Sequence, residues 1–122
     1  MANPFVHIEL NTTDMERSKS FYTRLFDWKL DDVKMPVGDY TLINVGEGTG
    51  GGIMQQMIPG AASSWLAYVG VDDIHAATER ARALGATVVR EVLEVADAGC
   101  LSIIVDPTGA MLGLWQAKPR SA

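Results

Sequence analysis

His7 and Glu9 stand two residues apart in Phe5-Val6-His7-Ile8-Glu9-Leu10, alternating with Val6, Ile8 and Leu10. Period two marks a half-buried strand, so the imidazole and the carboxylate share one face, close enough to touch a single bound molecule. A neutral imidazole exchanges protons near neutral pH, and a carboxyl partly removed from water has a raised pKa suited to proton abstraction. The structural alternative is that His7 hydrogen-bonds within the strand junction and Glu9 pairs with an arginine or a partner subunit. The sequence identifies no base, nucleophile and orienting group together that would decide between the two.

Other chemistry-bearing residues carry less. His75 falls in the first turn of a helix and is expected to face solvent. Gly46 to Gly52 holds five glycines in seven residues. It lacks the Lys-Ser/Thr of a phosphate loop and precedes a strand rather than a helix, so it reads as a flexible hairpin. Cys100 has no cationic sequence neighbour and reads as an inert buried thiol.

The elements that position these residues form a repeat. Phe5–Leu10 is a strand, and Thr13-Asp14-Met15-Glu16 has the form of a capping box with Thr13 as N-cap. Met15, Ser18, Tyr22 and Leu25, joined by Phe21 and Phe26, then give a helical apolar face. Strands follow at 28–33, 40–45 and 53–58, and 59–64 is a linker of small residues. The order recurs: a strand at 65–71, Asp72 as N-cap, a helix with stripe Ile74, Ala77, Ala81 and Leu84 ended by Gly85, then strands at 87–95, 100–105 and 111–116. Asp106-Pro107-Thr108-Gly109 is a tight turn. A shift of 59 aligns Asp14 with Asp73, Leu25 with Leu84, Leu42 with Leu101 and Thr49-Gly50 with Thr108-Gly109, and it sets His7 opposite Leu66 and Met54 opposite Gly113. The predicted fold is α+β: two βαβββ modules, about 4–58 and 65–117, in one domain spanning 1–122.

Each helix needs one strand face for cover, which leaves the other face to line a shared cup. His7, Glu9, Met54, Leu66, Tyr68, Gly113 and Trp115 are the residues expected there, whereas Trp65 alternates onto the helix side. Such a lining is apolar and aromatic with a few polar handles, the makeup of a small-molecule pocket.

The chain resembles the glyoxalase, bleomycin-resistance and ring-cleaving dioxygenase group, the vicinal oxygen chelate superfamily. The resemblance rests on His7-Ile8-Glu9-Leu10 before Thr13-Asp14, on Ser20-Phe21-Tyr22 and Leu25-Phe26-Asp27-Trp28, and on Tyr68-Val69-Gly70-Val71-Asp72-Asp73. It continues through Ala83-Leu84-Gly85-Ala86 and Asp106-Pro107-Thr108-Gly109 to Leu114-Trp115. It implies a half-open barrel around a shared cavity, and metal ligands from the first and last strand of each module. Those positions here are His7, Met54, Leu66 and Gly113. Only His7 suits a divalent ion, and a catalytic site needs about three protein ligands. The expectation is therefore no metal and no other cofactor.

The remaining bounds are general. The chain of 122 residues carries a net charge of −5, which argues against a nucleic-acid or anionic-membrane surface. The sequence has no stretch of about 18 apolar residues. A single cysteine suits a reducing cytoplasm. Exposed sheet edges, together with the resemblance, point to a homodimer. Two functions follow as expectations: a metal-independent binder of a small organic molecule, or an enzyme of the same fold (lyase, isomerase or dioxygenase) working through His7 and Glu9, with or without a divalent metal.

Overall fold

A computed structural model describes residues 2–35, 38–95 and 98–118. The order is β1 (Phe5–Thr12), α1 (Met15–Leu25), β2 (Lys29–Met35), β3 (Gly38–Asn44), β4 (Gly51–Gln55), β5 (Ser64–Gly70), α2 (Ile74–Ala83), β6 (Thr87–Val95), β7 (Gly99–Val105) and β8 (Met111–Ala117). This is the α+β, twice-repeated βαβββ arrangement expected. The chain forms two compact units, one of His7–Leu66 and the other of the residues on either side. In the first, strands run β2-β3-β4-β1, with β1 and β4 parallel and the other pairs antiparallel. In the second the order is β5-β8-β7-β6, again with one parallel pair, β5 and β8.

Both helices start one residue later than the cap patterns suggest. Asp14, not Thr13, is the first N-cap, its carboxylate accepting from Arg17 N at 3.1 Å. Thr13 is held elsewhere, its N–H donating to Ser63 Oγ at 3.0 Å. Asp73, not Asp72, caps α2 by accepting from Ala76 N at 3.1 Å. An aspartate one position nearer the helix reaches the free N–H groups of the first turn directly.

The core of the first unit is Leu10, Ile43 and Ile53, with Met15, Tyr22, Trp28, Leu30 and Val45 packed around it. Helix α1 reaches it through Met15 and Tyr22, while Ser18 Oγ lies 2.7 Å from Thr12 Oγ1. Phe21, Leu25 and Phe26, expected on the same buried face, are exposed. In α2, Ile74 and Thr78 are fully buried. Leu84 is not part of the stripe: it is the exposed C-cap, followed by Gly85 at φ +105°, which ends the helix as expected.

The glycine run divides in two. Gly46 and Gly48, at φ +95° and +87°, make the turn, but Gly51 and Gly52 belong to β4, paired with Ile8 and Glu9. Strand β4 therefore begins before residue 53 and ends at Gln55 rather than 58. Gly51 is in the ladder because a Cβ there would lie 2.0 Å from the Ile8 carbonyl oxygen.

The repeat offset is not constant. It is 59 at the caps, and α2 is one residue shorter than α1. Strand β6 then shifts register twice against β7, between Val88 and Arg90 and between Arg90 and Leu93, as β-bulges do. One more residue separates β6 from β7 than β2 from β3, so the offset reaches 61 in the last two strands. Gly113 therefore corresponds to Gly52 rather than Met54, Trp115 corresponds to Met54, and Gly109 (φ +100°) corresponds to Gly48 rather than Gly50.

Candidate functional site

Register assigns the faces. In β1, Leu10 enters the core and Thr12 meets Ser18 of α1, so the even-numbered residues cover the helix. His7, Glu9 and Asn11 take the opposite face, as the alternation predicted. Glu9 pairs with Gly52 and Asn11 with Met54, while Tyr40 and Leu42 of β3 pair with Met54 and Gly52. Paired residues point to the same side of a sheet, so His7, Glu9, Tyr40, Leu42, Gly52 and Met54 lie on one face of the first unit.

The decisive contact there involves Tyr40, which sequence reasoning missed. Its Oη lies 2.7 Å from His7 Nε2. Gly52 allows this approach: a Cβ at that position would stand 2.0 Å from Tyr40 Oη and 2.2 Å from Cζ. An isolated glycine inside a strand signals such close packing, but it lay hidden within what read as a loop. His7 is half-buried, and loss of water around the ring lowers its pKa below 6.5, so the imidazole is neutral at pH 7. The tautomer sets the direction of the bond: Tyr40 O–H donates to Nε2, or Nε2–H donates to the phenol oxygen. Glu9, two residues along the same face, is buried at 6 % exposure. The arrangement offers an imidazole, a phenol and a carboxyl side by side.

The second unit presents a different face. Ser102 bonds Thr78 of α2, and Gln116 Oε1 accepts from Ile74 N, so these positions face the helix. Tyr68, Gly113, Leu101 and Trp115 alternate onto the other side, Tyr68 paired with Gly113 and Leu101 with Trp115. Tyr68 is buried, its ring seated over Gly113, where a Cβ would meet Cδ2 at 2.3 Å. Trp115 is half-buried, and Leu66 of β5, in the first unit, is buried. Trp65 takes the helix side expected of it, edge-on to Tyr22 and Trp28 at 5.5 and 6.4 Å, yet stays 43 % exposed. His75 is exposed as expected, beside a groove shared with Thr78, Glu79, Glu91 and Val92. Cys100 lies half-buried in β7 rather than fully buried.

The donor set does not fit the divalent ion that the resemblance implies. His7 is the sole nitrogen or oxygen donor among His7, Met54, Leu66 and Gly113. The corrected register does not help, because Gly52 matches Gly113 and Met54 matches Trp115, none of them a ligand for a hard or borderline cation. His7 Nε2 is itself engaged by Tyr40.

The profile of the Glyoxalase/Bleomycin resistance protein/Dioxygenase superfamily matches residues 5–114. This chain belongs to that superfamily. Among relatives of this glyoxalase-superfamily chain, the "Putative glyoxylase CFP32" of Mycobacterium tuberculosis is 38% identical over 117 residues, covering 91% of this chain and 44% of the relative. The chain thus spans about half the length of the curated relatives it matches. Among solved structures, the hypothetical protein BH1468 of Bacillus halodurans C-125 aligns with a TM-score of 0.76 at 14% identity, covering 100% of this chain and 99% of that one. A methylmalonyl-CoA epimerase of Mycobacterium tuberculosis aligns with a TM-score of 0.72 at 16% identity, covering 94% and 88%. At those identities the structures show a shared fold. No helix among the described residues is long and apolar enough to cross a membrane.

Proposed function

We propose that this glyoxalase-superfamily chain binds a small organic molecule on the sheet face carrying His7, Glu9 and Tyr40, without the superfamily's divalent ion. The observation that carries the reading is the 2.7 Å bond between His7 Nε2 and Tyr40 Oη beside the buried Glu9. Three polar groups converge on a face otherwise made by Leu42, Gly52 and Met54, a combination that orients a ligand through few hydrogen bonds over apolar contact. We place the protein in the cytoplasm, where Cys100 stays reduced.

Calorimetric titration and thermal shift with a panel of small carbonyl and hydroxy compounds, with and without chelator, tests this. A ligand at about a hundred times its dissociation constant adds about 2.7 kcal/mol of stability, and binding is expected to weaken in Tyr40→Phe and Glu9→Gln. Stoichiometric transition metal retained through dialysis and lost in His7→Ala would overturn the metal-free reading.

A second reading is favoured by the same bond: a neutral imidazole hydrogen-bonded to a phenol can pass a proton to or from a bound molecule. The names of the mycobacterial relative and of the epimerase structure support an enzyme of this kind. The test is deuterium exchange from solvent into a bound compound's acidic C–H. Exchange abolished in His7→Gln and slowed in Tyr40→Phe is expected, and exchange unaffected by both would refute it.

A further inference from the structure

The sheet face of the second unit that turns away from α2 carries a single charge. Strands β5, β7 and β8 contain no charged residue, and β6 contains Arg90, Glu91 and Glu94. Glu91 is held on the α2 side, both its carboxylate oxygens 2.9 Å from Arg82 Nη2. Glu94 pairs with Cys100 and Cys100 with Gln116, whose Oε1 accepts from Ile74 N of α2. Arg90 pairs instead with Ile103, which alternates with Ser102, the residue bonded to Thr78 of α2. Arg90 therefore stands on the opposite face.

The first register shift of β6 puts it there. Val88 pairs with Ile104 and the next pair is Arg90 with Ile103, so Val89 is the extra residue. Uninterrupted pairing would set Val89 against Ile103 and turn Arg90 toward α2. Bulges gather beside functional sites, where they re-aim a side chain. Arg90, Ile103 and the Tyr68 ring over Gly113 form one row across the sheet, and Leu93, Leu101 and Trp115 form the next. At about 4.8 Å per strand the first row is roughly 14 Å long. Arg90 is exposed, and its guanidinium has no ion pair or side-chain hydrogen bond among the described residues.

We propose that this face binds a small monocarboxylate with an apolar body. Arg90 takes the carboxylate through the parallel N–H groups of its guanidinium fork, while Ile103, Leu101 and Trp115 support the body. The proposal rests on the register of the second unit alone and not on the His7 face. Charge selects the class. One guanidinium neutralises one negative charge, and no second cation shares the face. A phosphate monoester, carrying about −1.5 to −2 at pH 7, would keep uncompensated charge over apolar groups. An amine would meet a like charge, and a neutral amide would leave the fork without an ionic partner.

Calorimetric titration with octanoate, octanamide and octyl phosphate tests this, with the Trp115 indole N–H followed by NMR. Octanoate is expected to bind at least about tenfold more tightly than either analogue, to shift the Trp115 resonance, and to weaken as salt is raised. Arg90→Gln should lower octanoate affinity by about ten- to a hundredfold and leave that of octanamide unchanged. Arg90→Lys should restore only part, because an ammonium lacks the fork. If Arg90→Gln misfolds, the octanoate-to-octanamide ratio and the Trp115 shift in the wild type decide the matter. Equal binding of octanoate and octanamide would overturn the proposal, as would tighter binding of octyl phosphate. So would a carboxylate preference kept in Arg90→Gln but lost in Tyr40→Phe, which would assign the anion to the His7 face. An Arg90→Gln variant that aggregates yet keeps its octanoate affinity would make Arg90 a guard of the β6 edge, and would also overturn it.

Discussion

Replacing Gly52 by alanine is the sharpest perturbation available, because a single methyl group contests the space that Tyr40 uses to reach His7. The new Cβ would fall 2.0 Å from Tyr40 Oη, 2.2 Å from Cζ and 2.3 Å from Cε2, well inside contact distance. All three atoms belong to a side chain, so the ring swings away and the backbone stays. Displacement forfeits the bond to His7, about 1 kcal/mol, and roughly 1–2 kcal/mol of ring burial. Alanine returns about 0.5–1 kcal/mol by restricting the unfolded chain. The expected net loss is about 1–2 kcal/mol, which at about 2.1 cal/mol/K per residue lowers Tm by about 4–8 °C. Thermal unfolding of the wild type, Gly52→Ala, Tyr40→Ala and the double variant forms a cycle. In the Tyr40→Ala background the glycine substitution should cost nothing or stabilise slightly, since the obstacle is gone. Equal destabilisation in both backgrounds would refute the account of why Gly52 is there. The His7 ring, re-exposed to water in Gly52→Ala, should also titrate closer to an ordinary histidine by NMR.

Burial lowers the His7 pKa in the folded state, so the unfolded chain takes up the proton first as pH falls. The stability held by neutral His7 is complete above pH 6.5 and declines below it until the lowered folded pKa is reached. Melting from about pH 8 to about pH 5 should therefore show a smaller acid loss in His7→Gln than in the wild type; parallel curves would contradict this. Thr78→Val removes a hydroxyl that donates to Ile74 O at 2.6 Å and lies 2.9 Å from Ser102 Oγ, both residues fully buried. Stranding Ser102 costs about 1–3 kcal/mol in denaturant titration, and adding Ser102→Ala should recover part of it. Gly99→Ala should destabilise more than Gly52→Ala, because its Cβ would meet the Gln116 carbonyl oxygen at 2.2 Å, a backbone atom that cannot swing aside. Comparing the two melting curves checks the ranking.

Much of the fold was readable from local signals. Alternation in β1 correctly set His7 and Glu9 opposite the helix, and Gly85 and the Asp106 turn stood where their chemistry required. The caps were displaced by one residue because Thr13 and Asp14 are both competent, and the choice falls to Ser63, which lies fifty positions away. Tyr40 went unnoticed for a similar reason. Its link to His7 spans 33 residues and depends on a missing side chain at Gly52. A glycine inside a strand is the signal for such an approach, but the run Gly50-Gly51-Gly52 reads as a loop and conceals it. The repeat was visible in sequence, but its true alignment in the last strands was not, since bulges leave no residue-type signature.

The two register shifts in β6 constrain what the chain can lose. Each extra residue, taken alone, would reverse the phase of alternation between β6 and β7, exchanging the residues that cover α2 with those on the far side. Two extra residues cancel. Val88 still pairs with Ile104 and Leu93 with Leu101, each couple agreeing on its side of the sheet. The duplicated halves have therefore drifted in length by an even number within this strand, the kind of change that a sheet with two distinct faces tolerates. Removing one residue between Val88 and Leu93 should be far more damaging than removing two, so this strand counts its residues in pairs.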